Sequence, residues 1–144
     1  MLKTPLITLA LRICIAIIVA SCSSTISPFS QQAYKYATEL KVDTLKLLER
    51  AETPYLENRK QIEKLTLELE KAFEFSKGRP HNEHSTAQWA ILLDPERNLL
   101  GGFLNRWQRE KSFSYPFIRE SQRLIAEAFD TIIGLESGKI RYDD

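Results

Sequence analysis

The sequence predicts a small all-α domain, and three patterns support this. Apolar residues recur at intervals of three and four over most of the chain after residue 30, which places them on one side of successive helices. The alternation of apolar and polar residues that is typical of strands is absent. Helix boundaries are marked by Gly78 and Pro80 after one apolar stripe and by Asp94 and Pro95 before another. We therefore expect a bundle of three to four helices.

The first predicted helix covers residues 31–52, and its continuation depends on Thr53 and Pro54. These two residues allow either a new helix, with Thr as the N-cap and Pro at the first position, or a kink within one long helix. A complete reversal usually needs a connection of about two to eight residues, and no glycine is present to make it. We therefore expect one N-terminal helix that is kinked at Pro54 and continues to residue 77.

The C-terminal helix is predicted over residues 117–137, and its length matches the segment 55–77. Each would be about 30 to 35 Å long at about 1.5 Å per residue. We expect these two helices to pack antiparallel, with the aromatic-rich segment between them lying across both. That segment contains a helix over about 96–111, in which Gly101 and Gly102 indicate close approach by another element or a local bend.

Composition favours one compact domain. The chain has 144 residues, of which 43% are hydrophobic and 27% are charged, which is typical of a globular protein. It carries 20 basic and 19 acidic residues, a net charge of +1. A nucleic-acid-binding surface would need a marked basic excess, so this charge gives no support for one.

The N-terminal residues have the layout of a short secretory signal. Lys3 and Arg12 supply a basic start, and residues 13–19 form an uninterrupted apolar run. A membrane-spanning helix needs about 20 apolar residues. Even the longer apolar stretch 6–20 is interrupted by Arg12, so a permanent transmembrane anchor is not expected.

Val19, Ala20 and Ser21 lead directly to Cys22. They resemble the lipobox of bacterial lipoproteins, an aliphatic residue and two small ones before a cysteine that is lipidated on sulfur and becomes the mature N-terminus. The resemblance implies that signal peptidase recognises Val19, Ala20 and Ser21, and that Cys22 carries fatty acids such as palmitate. Ser23, rather than aspartate, implies export to the outer membrane, facing the periplasm, in a bacterium with two membranes. With a single membrane the protein would lie on the cell surface.

The expected organisation is a removed signal peptide at 1–21, an acylated cysteine and flexible tether at 22–30, one helical domain at 31–138 and a tail at 139–144. The tether is rich in serine and interrupted by Pro28. Cys14 lies in the removed segment and Cys22 would be acylated. No thiol would remain for a disulfide, so stability has to come from packing.

Trp89, Phe103 and Trp107 belong to the densest aromatic region of the mature chain. They are either core residues or part of a groove that binds a partner, since tryptophan is favoured at interface hot spots. Both alternatives remain open from the sequence.

His81 and His84 flank an adjacent carboxylate in a predicted loop and could supply two or three zinc ligands. The alternative is that they are ordinary polar loop residues. Without cysteines or an HExxH helix the signal is weak, so we expect neither a metal site nor a cofactor.

The sequence has no GxSxG elbow, no phosphate-binding glycine loop, no SxxK and no HExxH. We therefore expect a noncatalytic, membrane-anchored envelope lipoprotein whose helical domain binds another envelope protein. One alternative is a periplasmic carrier of a small ligand or metal, which would use the His81 and His84 loop or an aromatic pocket near Trp89 and Trp107. A second is a hydrolase whose site leaves no short motif.

Overall fold

The computed structural model describes residues 27–140, and every regular element among them is helical. The five α-helices are α1 (Gln31–Leu48), α2 (Arg59–Lys77), α3 (Glu83–Leu93), α4 (Leu100–Glu110) and α5 (Tyr115–Glu136). The prediction of an all-helical domain is confirmed for this part of the chain, with five helices in place of three to four. In the same residues no helix combines the length and apolar character needed to cross a membrane.

The chain reverses between α1 and α2 and does not continue as one kinked helix. Two short 3-10 helices, Glu49–Glu52 and Tyr55–Asn58, flank Thr53 and Pro54, whose extended backbone has ψ angles of 160° and 142°. The rings of Tyr36 and Phe75 are 5.7 Å apart. In one continuous helix the same residues would be about 58 Å apart. The prediction of a long helix kinked at Pro54 is therefore wrong.

Side chains stabilise this reversal without a glycine. The Asn58 amide donates to Thr53 Oγ1 at 2.8 Å and to the Pro54 carbonyl at 3.2 Å. The indole N–H of Trp107 donates to the Thr53 carbonyl at 3.0 Å. The Trp107 bond supplies a partner for the Thr53 carbonyl, while the Pro54 carbonyl also accepts the Glu57 N–H at 3.0 Å.

Helix α5 packs antiparallel on α1 and also contacts α3, and α2 contacts both α1 and α3. Gln122 donates to the Leu45 carbonyl at 2.9 Å, and Lys41 pairs with Asp130. Later residues of α5 thus lie beside earlier residues of α1. The expected pairing of the C-terminal helix with residues 55–77 is wrong, because the reversal at Thr53 brings α1 rather than α2 against α5.

The connection from α3 to α4 depends on Gly101 and Gly102. A Cβ added at Gly101 would overlap the Leu93 carbonyl, and one at Gly102 would overlap the Arg97 carbonyl. Of the two causes expected, close approach by another element applies at Gly101, which meets the end of α3, while Gly102 meets the α3–α4 connection. Asp94 accepts a bond from the Glu96 N–H at 2.9 Å, which makes a turn, and α4 begins at Leu100 rather than at residue 96.

Gly101→Ala should lower the free energy of unfolding by about 1 to 3 kcal/mol, because the added methyl group overlaps rigid backbone. The matched control is Gly78→Ala, where the nearest atom to an added Cβ is 3.6 Å away and the backbone is right-handed helical. The control should leave stability unchanged or raise it by about 0.4 to 1 kcal/mol. Urea unfolding measures both, and equal effects would contradict the prediction.

Candidate functional site

The three aromatic candidates lie in the core. Trp89, Phe103 and Trp107 are 2%, 4% and 0% exposed. Trp89 packs edge-on against Phe129, and Trp107 does so against Tyr55, with ring centres 5.9 and 5.8 Å apart. Trp89 and Trp107 therefore present almost no surface to a partner, and Phe103 contributes only a small edge to a pocket between α4 and α5. Of the two alternatives that the sequence left open, burial favours the core, because the helices pack these side chains against one another.

The two histidines lie where the chain enters α3. His81 has a left-handed backbone, with φ of 55°, and His84 lies in the first turn of α3. Within residues 27–140, no three His, Cys, Asp or Glu side chains are arranged to hold a metal ion. The structural contribution of His81 comes from its backbone, since its carbonyl accepts the Ser27 N–H at 2.8 Å.

The segment just before α1 is bound to the domain. Besides the Ser27 bond to His81, Arg79 donates to the Pro28 carbonyl at 2.6 Å. Ser30 caps α1 by accepting the Ala33 N–H at 3.2 Å. The last four residues of the expected flexible tether are therefore held by the fold. We call the end of the domain formed by residues 27–30, 79–85 and 134–140 the tether pole.

A buried ion pair holds the tether pole together. Arg79 pairs with Glu136, and the Ser85 hydroxyl donates to the other carboxylate oxygen of Glu136. The Glu136 side chain is only 1% exposed. A buried carboxylate is tolerated when it is paired and hydrogen-bonded, as it is here.

No local pattern in the sequence indicates this cluster. Arg79 belongs to a recognisable helix-stop sequence, and Glu136 looks like any other carboxylate on a helix. The two are 57 residues apart, so nothing in their local sequence links them. A hydroxyl beside a carboxylate can also act as a nucleophile with its general base. Because Ser85 is buried and both oxygens of Glu136 are occupied, the arrangement stabilises the fold and offers no access to a substrate.

An open groove lies between α2 on one side and α4 with the end of α3 on the other. It encloses about 400 Å³, within the size range of ligand pockets. Its apolar part is lined by Tyr55, Ile62, Leu69, Leu93, Leu100 and Leu104. Thr66 also lines it, and Glu70, Asn105 and Gln108 supply polar groups. Among its described lining residues Glu70 alone is charged at neutral pH. We call this site the α2/α4 groove.

Two smaller pockets of about 260 Å³ each are less suited to apolar recognition. The pocket between α1 and α2 is bordered by charged side chains, namely Asp43, Lys46, Arg50, Lys64 and Glu68. In the pocket between α4 and α5, the guanidinium of Arg106 covers the Phe117 ring, 4.7 Å from its centre. Arg106 also donates to Glu110 at 2.7 Å, and this bond lowers the pKa of the Glu110 carboxyl.

Comparisons with known proteins do not assign this chain to a family. No protein-family model, curated protein or solved structure matches it. No residue therefore receives a role by transfer from a relative. The features that bear on function are the sequence motif at Cys22 and the surfaces of the folded domain.

Arg79→Met should lower the free energy of unfolding by about 3 to 5 kcal/mol, because it leaves Glu136 buried without its cation. Arg59→Met is the matched control, since its pair with Glu63 is exposed and such pairs contribute little. Denaturant unfolding of the mature chain measures both. A similar small change in the two variants would show that the buried pair does not hold the tether pole together.

Proposed function

We propose that this chain is a bacterial envelope lipoprotein whose helical domain binds another envelope protein. The observation that carries the proposal is the lipobox-like sequence Val19, Ala20, Ser21 and Cys22, which lies outside the described residues. Each buried methylene contributes about 0.8 kcal/mol, so two or three acyl chains on one cysteine give effectively permanent attachment. Ser23 favours the outer membrane, facing the periplasm.

The short distance between Cys22 and the domain supports a membrane-associated role. Ser27 is hydrogen-bonded to the domain, so only five residues' length of chain separates it from Cys22. A lipid on Cys22 would therefore keep the domain close to the membrane. Any partner has to lie on that membrane or near it.

We assign partner binding to the α2/α4 groove. Its apolar lining, polar groups and two bordering helical segments suit the apolar face of a helix from a protein in the same envelope. Tyr55, Thr66 and Leu104 are half-buried in the isolated domain. A partner that covered them would remove apolar surface from water, which favours association.

We infer a noncatalytic role. It is supported by the hydrogen bonds that the buried polar side chains already make within the domain. Ser85, Glu136 and Arg79 are bonded to one another or to the backbone. The volume of the α2/α4 groove supports a second candidate function, the carriage of a small apolar ligand. The carrier function would use this groove, in place of the pocket expected at Trp89 and Trp107.

Cys22→Ala should leave the precursor uncut and without lipid, because the sulfur that receives the acyl chains is absent. Cys14→Ala is the matched control and should be cut and acylated normally, since Cys14 lies before the cleavage point. Mass spectrometry of the N-terminal peptide and membrane fractionation measure both outcomes. If the Cys22→Ala protein were still cut after Ser21 and stayed membrane-bound, the lipobox assignment would be wrong.

Thr66→Glu should abolish stoichiometric recovery of the envelope partner from gently solubilised native membranes, because it places a charge in the α2/α4 groove. Leu67→Glu introduces the same charge at the adjacent, half-exposed position outside the groove lining and should leave recovery unchanged. Affinity purification with quantitative mass spectrometry compares them. Equal recovery from both, or no stoichiometric partner of the unaltered protein, would count against this surface.

A further inference from the structure

The chain between Cys22 and the tether pole is too short to let the domain move far from a membrane. Ser27 and Pro28 are held by hydrogen bonds of 2.8 and 2.6 Å, so Ser27 is the first residue that the structure fixes to the domain. Five residues span at most about 18 Å. The headgroup layer takes up about 5 to 7 Å of this length. The tether pole then lies within about 12 Å of the headgroup surface at full extension.

The tether pole also exposes apolar side chains. Eight large hydrophobic residues are exposed within residues 27–140. Four of them lie in or beside the tether pole, namely Phe29, Tyr34, Phe75 and Ile140. Phe29 is 65% exposed, and its ring centre is 6.3 Å from that of Tyr34. This end of the domain therefore presents an aromatic and aliphatic surface beside the point where the tether leaves.

The backbone holds Phe29 in place on this surface. Pro28 before it accepts the bond from Arg79, and Ser30 after it caps α1. The exposed charged side chains of the tether pole are Glu83 and Lys139, so their charges sum to zero. Attraction to a surface would come from the apolar side chains, and aromatic residues favour the boundary between membrane and water.

We propose that the tether pole lies against the lipid bilayer that carries Cys22, with the Phe29 ring inserted among the lipid headgroups. This inference rests on the proposed acylation of Cys22. It gives the domain a defined orientation, because α5 extends about 33 Å from the tether pole to the opposite end. Leu56 and Tyr115 are exposed at that opposite end, which in this orientation is remote from the bilayer.

Tryptophan fluorescence tests this orientation in the acylated full-length mature protein. Phe29→Trp places an indole in the tether pole, and Leu56→Trp is the matched control at the opposite end, where the side chain is 77% exposed. Trp89 and Trp107 are buried, so the unaltered protein supplies a background to subtract. The proteins are reconstituted in phosphatidylethanolamine and phosphatidylglycerol vesicles that contain a lipid brominated near the top of its acyl chains.

The Phe29→Trp indole should have blue-shifted emission and lose most of its intensity to the brominated lipid. The Leu56→Trp indole should keep the emission of an indole in water and stay unquenched. Equal, water-like emission from both variants would overturn the inference, provided that the acylated Cys22 peptide is present and the protein floats with the vesicles. A blue shift without quenching would also overturn it, because a protein surface would then cover Phe29.

Failure of the lipoprotein proposal itself would give a different result in this experiment. Protein that lacks lipid on Cys22 and does not float with vesicles would overturn the lipoprotein proposal and this inference together. Both substitutions are at exposed positions, so neither alters the core.

Discussion

The buried ion pair between Arg79 and Glu136 is the constraint on which the arrangement of the domain's N-terminal end depends. Its members come from the loop after α2 and from the end of α5, and Ser85 adds α3 to the same cluster. Arg79 also binds the Pro28 carbonyl. Because a buried carboxylate must keep its partners, the entry point of the chain is held at one end of the helical bundle.

The position of this entry point determines how the α2/α4 groove lies relative to the proposed membrane anchor. The α2/α4 groove is lined by α2 residues from Ile62 to Glu70 and by Tyr55, whereas the tether pole lies beyond the end of α2 at Lys77. The groove therefore lies toward the end of the domain that is remote from the tether. In the proposed orientation it would be open to another envelope protein while Phe29 contacts the bilayer.

Local patterns predicted the helical class and the close approach at Gly101, but they did not predict how the helices pair. The expected kink at Pro54 relied on the absence of a glycine. The reversal instead uses the Asn58 amide and the indole of Trp107, and Trp107 is 54 residues from the Thr53 carbonyl that it binds. Once the chain reverses there, α1 occupies the place beside α5 that matching helix lengths had predicted for residues 55–77.

By itself the sequence determined the helical periodicity, the balanced charge and the lipobox-like motif before Cys22, because each of these depends only on residue types and their order along the chain. Only the tertiary structure decided that Trp89, Phe103 and Trp107 are covered, that Glu136 is paired, and that the α2/α4 groove remains open. The physical reason is that burial and pairing depend on contacts between residues distant in sequence, and the spacing of residues along the chain does not contain those contacts.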